Sequence, residues 1–356
     1  MSNKRAKQFS DVITFAYWIR KQSMLRYKSK YPTNNDTRRI GRGIIFHIAP
    51  SNVAVNYAYS LVTGLVTGNI NVVRVPSKDF EQIKIINDSL AAALKSYPHL
   101  SNYICLIRYN HEQSINDYYS SLADVRIIWG GDSTINIIRS SPMKPRSSEI
   151  VFADRYSFAV IDSDHYINSE HKSSIIKHFY NDTYLTDQNA CSSPKMIIWV
   201  GNSIELAKQD FWDRVHTLVI KKYSFQQIMG VEKKLKACIL ATKIKGSKVI
   251  PSKDNYIARM TIPFIDMDVI QSCFGNSGFF IEYDAKRIED IIPLCNNLKC
   301  QTITYIGNIE MFENIINSGC RGVDRIVPFG RSMDFDFVWD GYDLVSSLTR
   351  IIVLQS

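Results

Sequence analysis

Ile44-Ile45-Phe46-His47-Ile48 opens a stretch that continues through an apolar run from Val53 to Val66 and the pair Gly68-Asn69. It ends on Asn71-Val72-Val73-Arg74-Val75-Pro76. The first and last runs are short and rich in β-branched residues, which reads as two strands. The run between them is long enough for a helix, with Gly68-Asn69 as its stop. Strand, helix, strand is the unit that builds a parallel sheet, because parallel neighbours need a crossover between them.

The same rhythm extends in both directions. Ser77 can cap a helix running to about Ser96, and Tyr103–Arg108 and Val125–Trp129 read as further strands with a helix between them. The expectation is an α/β fold with a mostly parallel, doubly wound sheet. A second unit is expected to start near residue 163, with a strand at Met196–Val200, a helix at Ile204–Lys222 and a strand at Gly278–Tyr283. Val338–Leu354 has an extended, aromatic and β-branched character and reads as a strand returning to pair elsewhere, including with another subunit. Upstream, Phe9, Val12, Ile13, Ala16, Trp18 and Ile19 mark residues 9–29 as an amphipathic helix with a basic tail.

Composition narrows the function classes. With 356 residues, 45% hydrophobic and 22% charged, the chain can hold two α/β domains without staples. Seven cysteines, with no Cys-x-x-Cys pair, and seven scattered histidines give no zinc pattern, so no metal is expected. No apolar run approaches the ~18 residues that span a bilayer, and the N-terminus lacks the apolar core of a signal peptide. A cytoplasmic setting without a transmembrane segment is the expectation. Residues 1–43 hold eleven Lys/Arg against Asp11 and Asp36, so the whole net charge of +9 comes from this segment. That distribution argues against nucleic acid, which needs a basic face on the folded body. It suits either a solvated tail or contact with an anionic partner.

Four motifs can carry chemistry. Asp187-Gln188-Asn189-Ala190-Cys191-Ser192-Ser193-Pro194 places a cysteine among small polar residues directly before a strand. A thiolate there can be stabilised by backbone N–H groups and act as a nucleophile, or Cys191 can be an ordinary loop residue. Phe46-His47-Ile48-Ala49-Pro50-Ser51-Asn52-Val53 brings the Asn52 amide to a helix start, as an oxyanion donor or a plain cap. Arg74, Ser77 and Lys78 follow a strand end, where doubly wound sheets bind nucleotide phosphate or ribose. Gly130, Gly131 and Asp132 follow another strand end and allow close backbone approach to a ligand.

Together these motifs resemble the LuxC-type acyl-CoA reductases of the aldehyde dehydrogenase superfamily. The resemblance runs in order from Gly41 to Arg350, through Arg42-Gly43-Ile44, His47–Asn56, Arg74–Phe80, Trp129–Asp132, Asp182–Pro194, Gln301–Gly307 and Gly322–Gly330. It closes on Asp334-Phe335-Asp336 and Trp339-Asp340-Gly341-Tyr342-Asp343.

The resemblance implies an aldehyde-dehydrogenase-like fold: a basic segment at 1–40, a Rossmann-type NADPH-binding domain at 41–162, a catalytic domain at 163–330 and a C-terminal returning or oligomerisation segment at 331–356. It implies that Cys191 takes the acyl group from an acyl-CoA or other acyl thioester, and that NADPH reduces the thioester to a fatty aldehyde. Asn52 and the Cys191 N–H would stabilise the oxyanion, each by about 3 kcal/mol. Arg74, Ser77, Lys78, Gly130, Gly131 and Asp132 would contact the cofactor. NAD-preferring relatives often carry a Glu where this chain has Ser77-Lys78, so NADPH is the expected donor.

Two departures stand out. Glu149 falls near the superfamily's water-activating glutamate, but its neighbours lack the glycines of that motif. Family members also carry a longer segment before the Arg-Gly-Ile match. The alternative implied by the family is an acyl-accepting scaffold for an acyl-protein synthetase, a ligase partner, with little reductase activity of its own. A homo-oligomer is expected in either case. A cysteine hydrolase or acyltransferase is poorer, because no motif brings a histidine to Cys191.

Overall fold

The computed structural model describes residues 5–32, 36–51, 53–110 and 112–354. Its internal contacts divide the chain into two units, Met1–Asp154 with Phe335–Ser356, and Arg155–Asp334.

The first unit opens with α1 (Ser10–Trp18) and α2 (Lys21–Ser29). The single helix expected over 9–29 is broken at Ile19-Arg20, where Arg20 turns to ψ 144°. The Arg20 guanidinium lies 3.3 Å from the Tyr17 ring centroid and its Nε donates to the Tyr17 carbonyl at 3.1 Å. The turn lets Trp18 and Tyr27 both pack edge-on against Phe337. The basic segment is therefore docked through buried Val12, Phe15, Trp18 and Tyr27, while Arg5, Lys7, Arg20, Lys21, Arg26, Lys28 and Lys30 remain exposed.

Next come β1 (Thr37–Gly41), β2 (Ile44–Ile48), α3 (Asn56–Val66), β3 (Ile70–Arg74), α4 (Glu81–Ser96), β4 (Ile104–Ile107), α5 (Gln113–Leu122), β5 (Val125–Trp129), α6 (Asp132–Arg139) and β6 (Ser148–Phe152). Five of these strands form a sheet in the order β4-β3-β2-β5-β6, and every pairing is parallel. Chain order reverses at β2, which has β3 on one side and β5 on the other. Such a switch point leaves a crevice outside the carboxyl ends of its strands. Gly68 ends α3 at φ 79°, with the Asn69 N–H on the Gly64 carbonyl (3.1 Å) and the Gly68 N–H on the Leu65 carbonyl (3.0 Å). This is a Schellman motif, where a residue with a Cβ would be strained. Ser77 does not cap α4. Phe80 is its N-cap, because the helix begins only where Phe80, Ile83 and Ile85 can reach the core.

The second unit contains β7 (Tyr156–Asp162), α7 (Ser163–Asn168), α8 (Lys172–Thr183), β8 (Pro194–Val200), α9 (Ile204–Lys222), α10 (Gln227–Lys243), β9 (Lys248–Ile250), β10 (Ala258–Thr261), α11 (Met267–Cys273), β11 (Phe279–Asp284), α12 (Ile292–Asn296), β12 (Cys300–Ile306), α13 (Glu313–Asn317) and β13 (Arg325–Pro328). Its seven-stranded sheet runs β13-β12-β7-β8-β11-β10-β9, parallel except for β9 on β10. The unit begins at Arg155 rather than near 163, because β7 pairs with both β8 and β12 in this sheet. The strands bury both faces with period two. Met196 and Ile198 join Phe158, Leu240 and Phe279 on one side, while Ile197 and Trp199 join Phe179, Phe211 and Phe280 on the other.

The chain then returns to the first unit with β14 (Val338–Trp339), β15 (Tyr342–Asp343), α14 (Leu344–Ser347) and β16 (Thr349–Val353). The single strand expected over 338–354 is thus interrupted by a hairpin and a helical turn. Its last part pairs antiparallel with β1 of the same chain, Arg39 opposite Ile351. Among the described residues, no helix is long and apolar enough to cross a membrane, and no group of His, Cys, Asp or Glu could hold a metal ion.

Candidate active site

Cys191 is exposed, in the loop between α8 and β8, just before the strand begins. The backbone leading to it is unusual: Asp187 and Gln188 are consecutive left-handed residues with φ of 51° and 57°. Such conformations persist in residues with a Cβ only when the surroundings hold them. Here the holding is done by the buried Gln188 side chain. Its Nε2 donates to the carbonyls of Pro194 (3.0 Å) and Phe279 (3.2 Å), and its Oε1 accepts from the N–H groups of Gly278 (2.7 Å) and Phe279 (3.2 Å).

Further bonds fix the turn that carries the thiol. The Ser193 N–H closes it on the Ala190 carbonyl at 3.0 Å, and the Ser157 hydroxyl of β7 donates to the Cys191 carbonyl at 2.7 Å. The Tyr223 hydroxyl, just after α9, donates to Asp187 Oδ1 at 2.5 Å. Lys195 Nζ donates to the Gln188 carbonyl, to Asn276 Oδ1 and, at 3.3 Å, to the Gly275 carbonyl. Behind the loop, buried Asp182 accepts from the Gly330 N–H (2.6 Å), the Ser332 N–H (3.2 Å) and the Ser332 hydroxyl (2.8 Å). Burial raises its carboxyl to about 6 despite those donors. The adjoining Met333 sulfur accepts from Ser192 Oγ at 3.3 Å. The result is an accessible thiol on a rigid turn.

In the first unit, Arg74, Ser77 and Lys78 follow β3, and Gly130, Gly131 and Asp132 follow β5, so both sets lie at the carboxyl edge of one sheet. Arg74 is engaged by the protein: its guanidinium lies 4.5 Å from the Tyr109 ring centroid and donates to the Asn110 carbonyl at 3.4 Å. Ser77 and Lys78 are exposed, with Lys78 Nζ 5.2 Å from the Phe80 ring centroid. Gly131 is the N-cap of α6, and a Cβ there would stand 2.9 Å from Asp154 Oδ2, which also accepts from the Asp132 N–H at 3.3 Å. That helix start already has anions of its own, Asp132 and Asp154, which leaves Lys78 as the cationic side of the edge. Asn52 lies outside the described residues. Glu149, on β6, is engaged through both oxygens, by Arg126 (2.6 Å) and Arg139 (2.7 Å), as an ion-pair anchor.

Gln188, Lys195 and Ser157 bond to the loop that carries Cys191, and the motifs assign none of them a role. One signal was available for Lys195: it interrupts an otherwise apolar run, Pro194 to Val200, that belongs to a doubly covered strand.

The fold is shared with solved structures. Lactaldehyde dehydrogenase from Escherichia coli superposes with a TM-score of 0.65 at 13% identity, over 97% of this chain and 79% of that one. A glyceraldehyde-3-phosphate dehydrogenase from Methanocaldococcus jannaschii, complexed with NADP, gives 0.64 at 13% identity, over 97% of this chain and 80% of that one. These likenesses define the fold as aldehyde-dehydrogenase-like. Residues 18–352 match the family described as Acyl-CoA reductase (LuxC), and the chain belongs to that family. Among its relatives, the long-chain acyl-protein thioester reductase of Vibrio harveyi is 22% identical over 319 residues, covering 88% of this chain and 64% of its own. That of Aliivibrio fischeri is 23% identical over 332 residues, 87% of this chain and 63% of its own. The chain thus spans a little less than two thirds of the length of these curated relatives.

Proposed function

We propose that this chain reduces a fatty acyl thioester to the fatty aldehyde, with Cys191 as the acyl carrier and NADPH as reductant. The observation that carries the reading is the exposed thiol on a turn immobilised by Gln188, in a chain of the LuxC family. The acyl donor is an acyl-CoA or the acylated form of a ligase partner, in keeping with the acyl-protein thioester named for the Vibrio harveyi relative.

The Cys191 thiolate attacks the acyl carbonyl carbon, and the bond from that carbon to the donor sulfur breaks. The donor leaves as a thiolate and takes up a proton, so the acyl group remains as a thioester on Cys191. When bound, the nicotinamide would supply the hydride that turns this thioester into a thiohemiacetal anion on Cys191. Collapse breaks the carbon–Sγ bond, releases the aldehyde and restores the thiolate. Both additions place charge on the former carbonyl oxygen, where the Cys191 N–H and Asn52 are the proposed donors. Glu149, tied to two arginines, is not placed in a water-activating role, which suits an acyl-enzyme that must survive until reduction.

The carboxyl edge at the switch point fits a dinucleotide: it offers exposed Ser77 and Lys78 after β3 and glycines after β5. Lys78 would pair with a ribose 2′-phosphate, Gly130 and Gly131 would let the backbone approach, and Asp132 would accept from a hydroxyl. Arg74 would act through the β4 loop that it holds.

The test uses labelled acyl-CoA with NADPH or NADH. The unaltered protein should form a labelled thioester and then aldehyde, faster with NADPH. Cys191→Ala should form neither. A labelled Cys191→Ala protein would remove the nucleophile, and equal rates with both cofactors would remove the NADPH preference.

A further inference from the structure

Lys195 is a charged residue with an unusual set of partners. From the second residue of β8 its Nζ reaches back to the Cys191 loop and donates to three neutral acceptors, the carbonyls of Gln188 and Gly275 and Asn276 Oδ1. Three acceptors satisfy the three N–H bonds of an ammonium, so its geometry is complete. Its charge is not balanced in the same way, since no carboxylate among the described residues forms an ion pair with it. Lys195 is half-buried, and an ammonium partly removed from water with only neutral partners is held less favourably than one paired with an anion. If the task were only to tether the loop to residues 275–276, an amide side chain would serve without that cost.

The ionisable group nearest along the chain that can become an anion is Cys191, four residues earlier, on the loop that leads into β8. We propose that Lys195 is a positioning residue for the nucleophile: its ammonium holds the loop through Gln188 and Asn276 and stabilises the Cys191 thiolate electrostatically. Burial lowers the Lys195 ammonium to about 8, and the Cys191 thiolate opposes that fall. Coupling between two charges is reciprocal, so the ammonium must favour the thiolate by as much as the thiolate favours the ammonium.

The other ionisable groups around the loop do not take this role. Lys236, on α10, donates to the Ser272 carbonyl at 3.1 Å and repels Lys195. Lys233, also on α10, is spent on the carbonyls of Asn255, Tyr256 and Ser277. Asp187 is bonded to Tyr223, Asp182 to Gly330 and Ser332, Tyr184 to the Tyr256 carbonyl, and Tyr156 to the Leu294 carbonyl. When Cys191 is acylated its negative charge disappears, and Lys195 should then release its proton more readily.

This inference rests on Cys191 as the nucleophile, and its test needs neither acyl donor nor NADPH. Alkylation of Cys191 by iodoacetamide is followed against pH by peptide mass spectrometry, in the full chain and in Lys195→Met and Lys195→Arg. In Lys195→Met the midpoint should rise by about one pH unit, which slows alkylation about tenfold at neutral pH. Lys195→Arg keeps the charge and should recover most of the original profile. An unchanged midpoint in Lys195→Met would overturn the proposal.

A second measurement covers failure of Lys195→Met to fold. Acetylation of Lys195 by acetic anhydride is followed against pH in the unaltered protein and in Cys191→Ala, where loss of the thiolate should lower the Lys195 midpoint. An unmoved midpoint there also overturns the coupling. A protein that passes both tests yet makes no aldehyde would lose the reductase reading and keep this one.

Discussion

His47 is fully buried, sits near the carboxyl end of β2 and still needs two hydrogen-bond partners. Its Nε2 lies 3.0 Å from Asn71 Oδ1 and its Nδ1 2.7 Å from Ser60 Oγ. Asn71 Nδ2 donates to the Asn69 carbonyl at 2.7 Å, so Oδ1 is the atom turned to the histidine. Nε2 therefore carries the proton and Nδ1 accepts from Ser60. Burial lowers this imidazole from 6.5 to about 4. The unfolded chain takes up the proton below about pH 6.5 while the folded protein refuses it down to about 4, so acidification through that window favours unfolding. The full effect is about 3 kcal/mol. Asp182 acts in the opposite direction: raised from 3.8 to about 6, it makes its contribution to stability shrink as pH rises between those values. Urea midpoints measured from pH 7 to 4.5 should fall less steeply in His47→Gln than in the unaltered protein, and more steeply in Asp182→Asn. Parallel slopes in all three proteins would mean that neither group is buried as described. The sequence shows His47 inside a motif but not its burial, because Ser60 and Asn71 reach it only once β2, α3 and β3 are packed. The exposed place of Cys191 in a strand-leading loop was legible from its small polar neighbours. Gln188 and Lys195 were not, because their partners at 275–279 lie far along the chain.

Among elements, those whose signals are local were read to within a residue or two. β2, β5 and α9 match their sequence patterns because breakers bound them and periodicity fills them. Elements decided by tertiary packing were misread: the Arg20 break, the start of α4 at Glu81 and the assignment of β7 to the second sheet. The basic segment is the most consequential of these. Phe15 and Trp18 lie with ring centroids 5.0 Å from Tyr59, and Trp18 lies 5.2 Å from Phe335, so α1 forms part of the first unit's core. Trp18→Ala should therefore destabilise by about 3–5 kcal/mol, read as a lower urea midpoint. An unaltered midpoint would return the segment to the status of a tail. For the same reason, deleting residues 1–30 would uncover Tyr59, Phe335 and Phe337. Any role of the exposed lysines in steering an anionic donor is better probed by reversing Lys7, Lys21 and Lys28 to Glu.

At the scale of the molecule, the second unit occupies one continuous segment, and the first is assembled from two. Arg155–Asp334 contains a whole sheet covered on both faces by its own helices. Expressed alone, residues 155–334 should fold cooperatively and keep Cys191 open to alkylation. A gradual, non-cooperative melt of that fragment would show that its core depends on the rest of the chain.

Among the described residues β1 pairs with β16 alone, and Trp18 and Tyr27 pack against Phe335 and Phe337 as well as against each other. On the ribosome, these early segments emerge long before the residues that complete them. At about 10 residues per second the interval is roughly half a minute. The later-made unit can finish while the earlier one waits with an open strand edge and uncovered aromatic rings. Translation speed, and any chaperone that shelters residues 10–41 in that interval, should therefore govern the yield of native protein more than the codons of the second unit do.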